Sequence, residues 1–230
     1  MLRSTNEQML ITDVHPRSPI SEAYRTLRTN IRFSSVDQQL KILLVTSTQA
    51  GEGKTTTVTN LAAAYAQENK KVLIIDADLR KPSIHHVFNL SNRNGLTSIL
   101  TDQFVINEVV AKTHINHLSV ITSGPIPPNP SEMLTSKRML SLLAELKEVY
   151  DVILIDSPPT LAVTDSQILA AMCDGVILVI NYGKVKREFV KKAKDSLEHV
   201  KARILGAVIN NVDKSEADSY YYYYGSKENS

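Results

Sequence analysis

The chain has 230 residues, 43% of them hydrophobic and 22% charged, with a formal net charge of +2. That length fits one α/β domain with a sizeable core, and the charge alone gives no reason to expect nucleic acid as a partner. No apolar run approaches the roughly 18 residues of a membrane span, the start Met1-Leu2-Arg3-Ser4-Thr5-Asn6 lacks the apolar stretch of a signal peptide, and the single Cys173 excludes an intramolecular disulfide and fits a reducing cytosol.

Residues 1–18 are polar and include Pro16, which predicts an extended N-terminal arm. Ser18-Pro19 then reads as a helix start, with serine as cap and proline in the first position. Over residues 19–33, Ile20, Tyr24, Leu27 and Ile31 recur at helical spacing. Beside that stripe, Glu22, Arg25, Arg28 and Arg32 step by three and four along a second face, which by itself suits ordinary solvated ion pairs.

Apolar runs and helical stretches alternate from there. Ile42 to Val45 is a buried strand, followed by a helix over about Lys54 to Glu68. Val72 to Ile75 is a second strand and Leu118 to Ile121 a weaker third. A helix over about Ser131 to Glu148 precedes the strand Val152 to Ile155. Val176 to Ile180 and Leu205 to Ile209 complete the set, with a basic helix from about Lys186 to Val200 between them. Strands that are apolar throughout are covered on both faces, and strand–helix alternation implies parallel pairing with right-handed crossovers. The expectation is a three-layer fold with a mostly parallel central sheet and helices on both faces.

Three smaller features carry plain readings. Residues 123–131 form a proline-rich loop that reads as a rigid connection, with a role near the active site as the alternative. Cys173 ends the apolar stretch Leu169 to Cys173 and reads as a core thiol, not a nucleophile. Lys184, Lys186, Arg187, Lys191, Lys192 and Lys194 read as a solvated face, with phospholipid or an acidic partner as the alternative.

The chemistry concentrates at strand ends. Thr48-Gln49-Ala50-Gly51-Glu52-Gly53-Lys54-Thr55 follows a buried strand and opens a helix, the context of a phosphate-binding loop. Glycines let backbone N–H groups turn toward phosphates, and the helix N-terminus adds positive potential. Gly51, Glu52, Gly53, Lys54, Thr55 and Thr56 are therefore the expected nucleotide contacts, with Lys54 on the β- and γ-phosphates of ATP and the Thr55 hydroxyl on Mg²⁺. Thr48 stands where the general pattern has its first glycine. Asp76 and Asp78 follow the second strand and Asp156 follows another. Ligands of parallel sheets bind beyond the carboxyl ends of strands, so Lys54, Asp76, Asp78 and Asp156 should converge. Mg²⁺ asks for few carboxylates plus phosphate oxygens and water, which this set supplies. Asn210 and Asn211 follow the last strand. Related ATPases place an asparagine there against adenine, although asparagine also suits a strand-ending turn.

Five consecutive tyrosines, Tyr220, Tyr221, Tyr222, Tyr223 and Tyr224, lie in a polar end segment over residues 211–230 that reads as a flexible tail. The last strand is expected to run parallel to the others, so the tail should leave on the nucleotide edge. The nine residues from Asn211 to Ser219 span at most about 30 Å.

These segments resemble the Walker A, Walker A′ and Walker B motifs of the bacterial tyrosine kinases, in the CapB type where the cytosolic kinase is a separate polypeptide. The resemblance covers Glu22-Arg25-Arg28, Gly51 to Thr55, Asp76 to Arg80, Asp156 to Pro159 and the tail. It implies an ATP- and Mg²⁺-dependent protein-tyrosine kinase over residues 1–210, with Lys54, Asp76 and Asp78 catalytic. Asp76 would lie nearest the tyrosine hydroxyl, and Thr55, Asp78 and Asp156 would hold Mg²⁺ directly or through water. Tyr220 to Tyr224 would be autophosphorylated, and Glu22, Arg25 and Arg28 would form the subunit interface of a homo-oligomeric ring. It further implies a membrane-bound activator of the polysaccharide co-polymerase kind, a cognate phosphotyrosine phosphatase, regulation of capsular or exopolysaccharide synthesis and export, and a cytoplasmic place at the inner membrane face. The rival with the same fold is a ParA/MinD-like positioning ATPase, whose extra loop lysine is replaced here by Gln49. A second rival is an ATP-binding docking subunit without enzyme activity.

Overall fold

The computed structural model describes residues 10–35 and 40–212. In chain order the elements are α1 (Ile11–Val14), α2 (Pro19–Phe33), β1 (Ile42–Ser47), α3 (Lys54–Ala66), β2 (Val72–Asp76), α4 (Ile84–Val87), α5 (Leu96–Leu100), α6 (Ile106–Val109) and β3 (Ala111–Lys112). They continue as β4 (Leu118–Ile121), α7 (Pro130–Leu134), α8 (Lys137–Val149), β5 (Val152–Asp156), α9 (Asp165–Ala170), β6 (Gly175–Asn181), α10 (Arg187–His199) and β7 (Ile204–Asn210). Among the described residues seven strands form one sheet in the order β3-β4-β2-β5-β1-β6-β7. Every pairing is parallel except the edge pair β3–β4. The short β3 is the one strand that sequence patterning misses, because two residues carry no periodicity.

Strand residues alternate between two cores, one on each face of the sheet. Leu43 and Val45 of β1 pack with Leu61 of α3 and Tyr24 of α2. Ile42 and Leu44 pack with Leu142 of α8 and Leu197 of α10. Helices therefore cover both faces of the inner strands, as their uniformly apolar sequences predict, whereas the equally apolar edge strand β7 is only partly covered, with Ile209 50% exposed. Within α3, every residue from Thr57 to Ala66 is buried, because the sheet covers one side and α2 the other. That double covering explains the small residues Ala62, Ala63 and Ala64.

The N-terminal segment differs from the expected extended arm. Residues 11–14 form the helical turn α1, and Leu10 before it is 5% exposed. Thr12 N donates to Asn60 Oδ1 at 2.9 Å, and Gln67 Nε2 donates to Thr12 O at 3.0 Å, so α3 supplies the turn's polar partners. Those partners are about fifty residues away in sequence, which is why local composition does not show them. Ser18 caps α2 as expected, its Oγ accepting from Ser21 N at 3.1 Å. Tyr24 and Ile31 are buried, whereas Ile20 faces solvent.

The helix expected over residues 131–148 is two helices, α7 and α8. Ser136 adopts an extended backbone and its Oγ accepts from Met139 N at 3.2 Å, which starts α8 afresh. Cys173 packs at the edge of one core, and burial pushes its thiol up, in keeping with an inert side chain.

The sheet order brings the sequence motifs together. β5 lies between β1 and β2, with Asp156 opposite Asp76 on one side and Val45 on the other. The chain's two aspartate motifs and its phosphate loop thus meet at one sheet edge.

Candidate active site

The loop between β1 and α3 is shaped by its glycines and by Glu52. Gly51 and Gly53 have φ of +79° and +92°, left-handed conformations that glycine adopts without strain. Glu52 is buried and turns inward, its Oε1 accepting from Gln49 N at 2.7 Å and from the Thr48 hydroxyl. Thr48, at the position of the usual first glycine, thus uses its side chain to pin the loop. Glu52 shapes the loop with its carboxylate and leaves its main-chain N–H to any phosphate. Lys54 and Thr55 begin α3 at the loop's mouth, and Thr56 follows in the same turn.

Asn210 and Asn211 sit beside this loop. Asn210 Nδ2 donates to Glu52 O at 3.0 Å, bracing the loop from the end of β7. Asn211 takes a left-handed backbone and donates to Asn181 Oδ1 at 3.2 Å. A Cβ on Gly53 would run into Asn210 Nδ2. Gly53→Ala must therefore push Asn210 aside as well as take on left-handed strain, which alone costs about 1–2 kcal/mol. We expect labelled ADP to bind this variant at least about tenfold more weakly; affinity within twofold of the parent would show the brace to be dispensable.

The carboxylates converge as the strand ends predict. Thr55 Oγ1 donates to Asp156 Oδ2 at 2.7 Å. Asp76 Oδ2 accepts from Ser83 N and Ile84 N, each at 3.0 Å, and Asp78 Oδ1 accepts from Lys81 N at 3.0 Å. The other oxygens of Asp76 and Asp156, both named Oδ1, are buried without a hydrogen-bond partner. An orphaned carboxylate oxygen is costly unless a cation or proton serves it.

Electrostatics agree with that geometry. Burial and then the neighbouring Asp156 push Asp76 up to about 8. Burial likewise pushes Asp156 up to about 6, opposed by the Thr55 hydroxyl and the Lys54 charge. Asp78 is raised by burial, against backbone donation and Lys54. Among the described residues no three His, Cys, Asp or Glu side chains form a ready-made metal cage. Mg²⁺ does not ask for one, since it takes one or two carboxylates, waters and phosphate oxygens. The Thr55 hydroxyl and the orphaned Oδ1 atoms of Asp76 and Asp156 fit that requirement.

Sequence reading missed a lock beyond this cluster. Arg80 forks onto Asp165, Nε to Oδ2 at 2.8 Å and Nη2 to Oδ1 at 3.1 Å, and Ser131 Oγ donates to the same carboxylate at 2.6 Å. The pairing ties the loop after β2 to α7 and α9, and holds the Asp165 carboxyl below its usual range despite burial. Its only sequence signal was the arginine closing Asp76 to Arg80; nothing marked Asp165 as its partner.

Glu22, Arg25 and Arg28 lie together on α2, away from the phosphate loop. Arg25 Nη1 pairs with Glu22 Oε2 at 2.9 Å, and Glu22 is largely exposed. Arg28 pairs with Glu68 at 2.7 Å and donates to Ala64 O at the C-terminal end of α3. Tyr220 to Tyr224 lie outside the described residues.

The AAA domain family matches residues 40–208 of the chain. The tyrosine-protein kinase YwqD of Bacillus subtilis (strain 168) is 49% identical over 226 residues, covering 98% of this chain and 95% of that protein. Among solved structures, the chimerical protein CapA2B2 superposes with a TM-score of 0.87 at 42% identity, covering 90% of this chain and 91% of the other. The kinase domain of the Escherichia coli tyrosine kinase ETK gives 0.86 at 36% identity, with 90% of this chain and 80% of the other covered.

Proposed function

The chain belongs to the bacterial tyrosine-protein kinases built on an AAA-type phosphate-loop domain, and we propose that its acceptors are the tyrosines of its own tail, Tyr220 to Tyr224. ATP is the donor in this reading. The tyrosine Oη attacks the γ-phosphorus, the bond from that phosphorus to the bridging oxygen breaks, and ADP leaves. The phenolic proton, held with a pKa near 10 in water, passes to Asp76. Lys54 neutralises the β- and γ-phosphates, and the loop's N–H groups orient them. Asp78, Asp156 and Thr55 would hold Mg²⁺, which supplies neutralisation of the charge spread over the transferring group.

The observation that carries the tail reading is the direction of β7. It pairs parallel with β6, and its last residue, Asn210, bonds the phosphate loop. The tail thus starts beside the donor site, and about 30 Å of chain separates Asn211 from the first tyrosine of the cluster at most.

Transfer runs in trans in this reading, within a ring joined through Glu22, Arg25 and Arg28. Each phosphate adds nearly two negative charges, so modified tails repel one another and open the ring. The partners are a membrane-bound activator and a phosphatase that resets the tail, at the inner face of the membrane in a capsular or exopolysaccharide system. No helix among the described residues is long and apolar enough to cross a membrane, so membrane contact passes through the activator in this reading.

The test is incubation with Mg²⁺, γ-labelled ATP and a cytosolic activator fragment, followed by mapping of phosphotyrosine. Label on Tyr220 to Tyr224, lost when all five are changed to Phe, supports the reading. Hydrolysis without transfer would make the chain a positioning ATPase instead. Light scattering should show the assembly shrinking after full phosphorylation; an unchanged size removes the ring switch.

A further inference from the structure

Ser83 occupies a position that neither the phosphate-loop pattern nor the aspartate pattern assigns. Its hydroxyl lies 2.9 Å from Thr55 Oγ1. Thr55 has one hydroxyl hydrogen, and that hydrogen points to Asp156 Oδ2 at 2.7 Å. The hydrogen between Ser83 and Thr55 must therefore come from Ser83. A hydroxyl has one donor and two acceptor lone pairs. With its hydrogen on Asp156 and one lone pair on Ser83, Thr55 keeps a single lone pair, held in a fixed direction.

The same residue also serves Asp76. Ser83 N donates to Asp76 Oδ2 at 3.0 Å, so one residue's backbone fixes one carboxylate while its side chain fixes the threonine. Asp76 Oδ1 and Asp156 Oδ1 stay buried without a hydrogen-bond partner. We propose that Ser83 is a Mg²⁺-positioning residue, whose hydroxyl aims the free lone pair of Thr55 at the ion. The proposal rests on the reading that this cluster holds Mg²⁺ with the nucleotide. Without the Ser83 hydroxyl, Thr55 is free to rotate and the ion meets an unaimed donor. Groups that orient a metal's ligands typically change affinity by about 10- to 100-fold.

The test uses the full chain and labelled ADP, titrated with Mg²⁺ and separately in EDTA. Ser83→Ala keeps the backbone bond to Asp76, so the nucleotide-free melting temperature should stay put. The Mg²⁺ concentration for half-maximal tightening should rise about 10-fold, ADP affinity in EDTA should not change, and Ser83→Thr, which keeps a hydroxyl, should restore the midpoint. Ser83→Ala with a midpoint within twofold of the parent overturns the assignment. So does an equal loss in EDTA, which would mean a structural role, or a failure of Ser83→Thr to restore binding. If the parent protein itself shows no Mg²⁺ effect on ADP, the metal reading falls with it, an outcome distinct from a Mg²⁺-dependent parent matched by its variant.

Discussion

Lys54→Met is expected to reduce phosphotyrosine formation by at least about 100-fold, the size of effect seen when one preorganised donor to a transferring charge is removed. Lys54 is 9% exposed, so its ammonium acts in a site largely shielded from water, where a charge counts for more. Its charge also opposes the upward push of burial on the carboxyls of Asp78 and Asp156, which places it within their field. Methionine keeps the aliphatic stem and removes the charge, so packing along α3 should survive. Melting temperature and oligomer size should therefore stay near those of the parent while label incorporation disappears. Transfer retained within tenfold would sink the assignment of the phosphate site. A chain that melts much earlier would instead show that Lys54 is needed to offset the carboxylates, and binding of labelled ADP to the folded fraction would separate the two causes.

Most of the candidate site's geometry was legible, because glycine spacing and strand ends fix it. Gly51 and Gly53 take the left-handed turns that their spacing implies, Lys54 and Thr55 open α3 where the loop pattern puts them, and the strands that present Asp76 and Asp156 announce themselves as apolar runs. The family resemblance then matched the same residues, and the comparisons agree with it. What stayed hidden was long-range. Asn60 and Gln67 hold the backbone of Thr12, a contact that no window around residues 1–18 contains. The break at Ser136 lies inside an apolar pattern that reads equally well as one helix, and only a cap settles it. Asp165 and Ser83 are ordinary residues in sequence, given roles by loops that fold over from other strands. Glu52 is similar: its pattern position points to nucleotide, yet its carboxylate turns inward to Thr48 and Gln49.

The carboxylate cluster sets stability against function, and Asp76→Asn should expose the conflict. Asp76 in the folded chain is pushed up to about 8, first by burial and then by Asp156 and, less strongly, Asp78. An aspartate in the unfolded chain titrates near 4. Between those limits the folded protein binds the proton that the unfolded chain has released, so stability falls as pH rises from about 4 to about 8. Above about 8 the folded state carries the full cost of the buried charge. Below about 4 both states are protonated and the cost is absent. Asparagine does not titrate here, keeps the shape, and can still accept from Ser83 N and Ile84 N. The variant should therefore melt several degrees above the parent at pH 8 without nucleotide, a gain of a few kcal/mol at most by order of magnitude. The gain should shrink toward zero as pH approaches about 4. Phosphotyrosine formation should fall by at least about 100-fold, because in the proposed mechanism the tyrosine proton loses its acceptor. Saturating Mg²⁺ and ADP should narrow or reverse the difference, since the parent's carboxylates then gain a cation that the amide cannot match. A variant that melts at or below the parent at pH 8 would remove the cost assigned to the buried Asp76 charge.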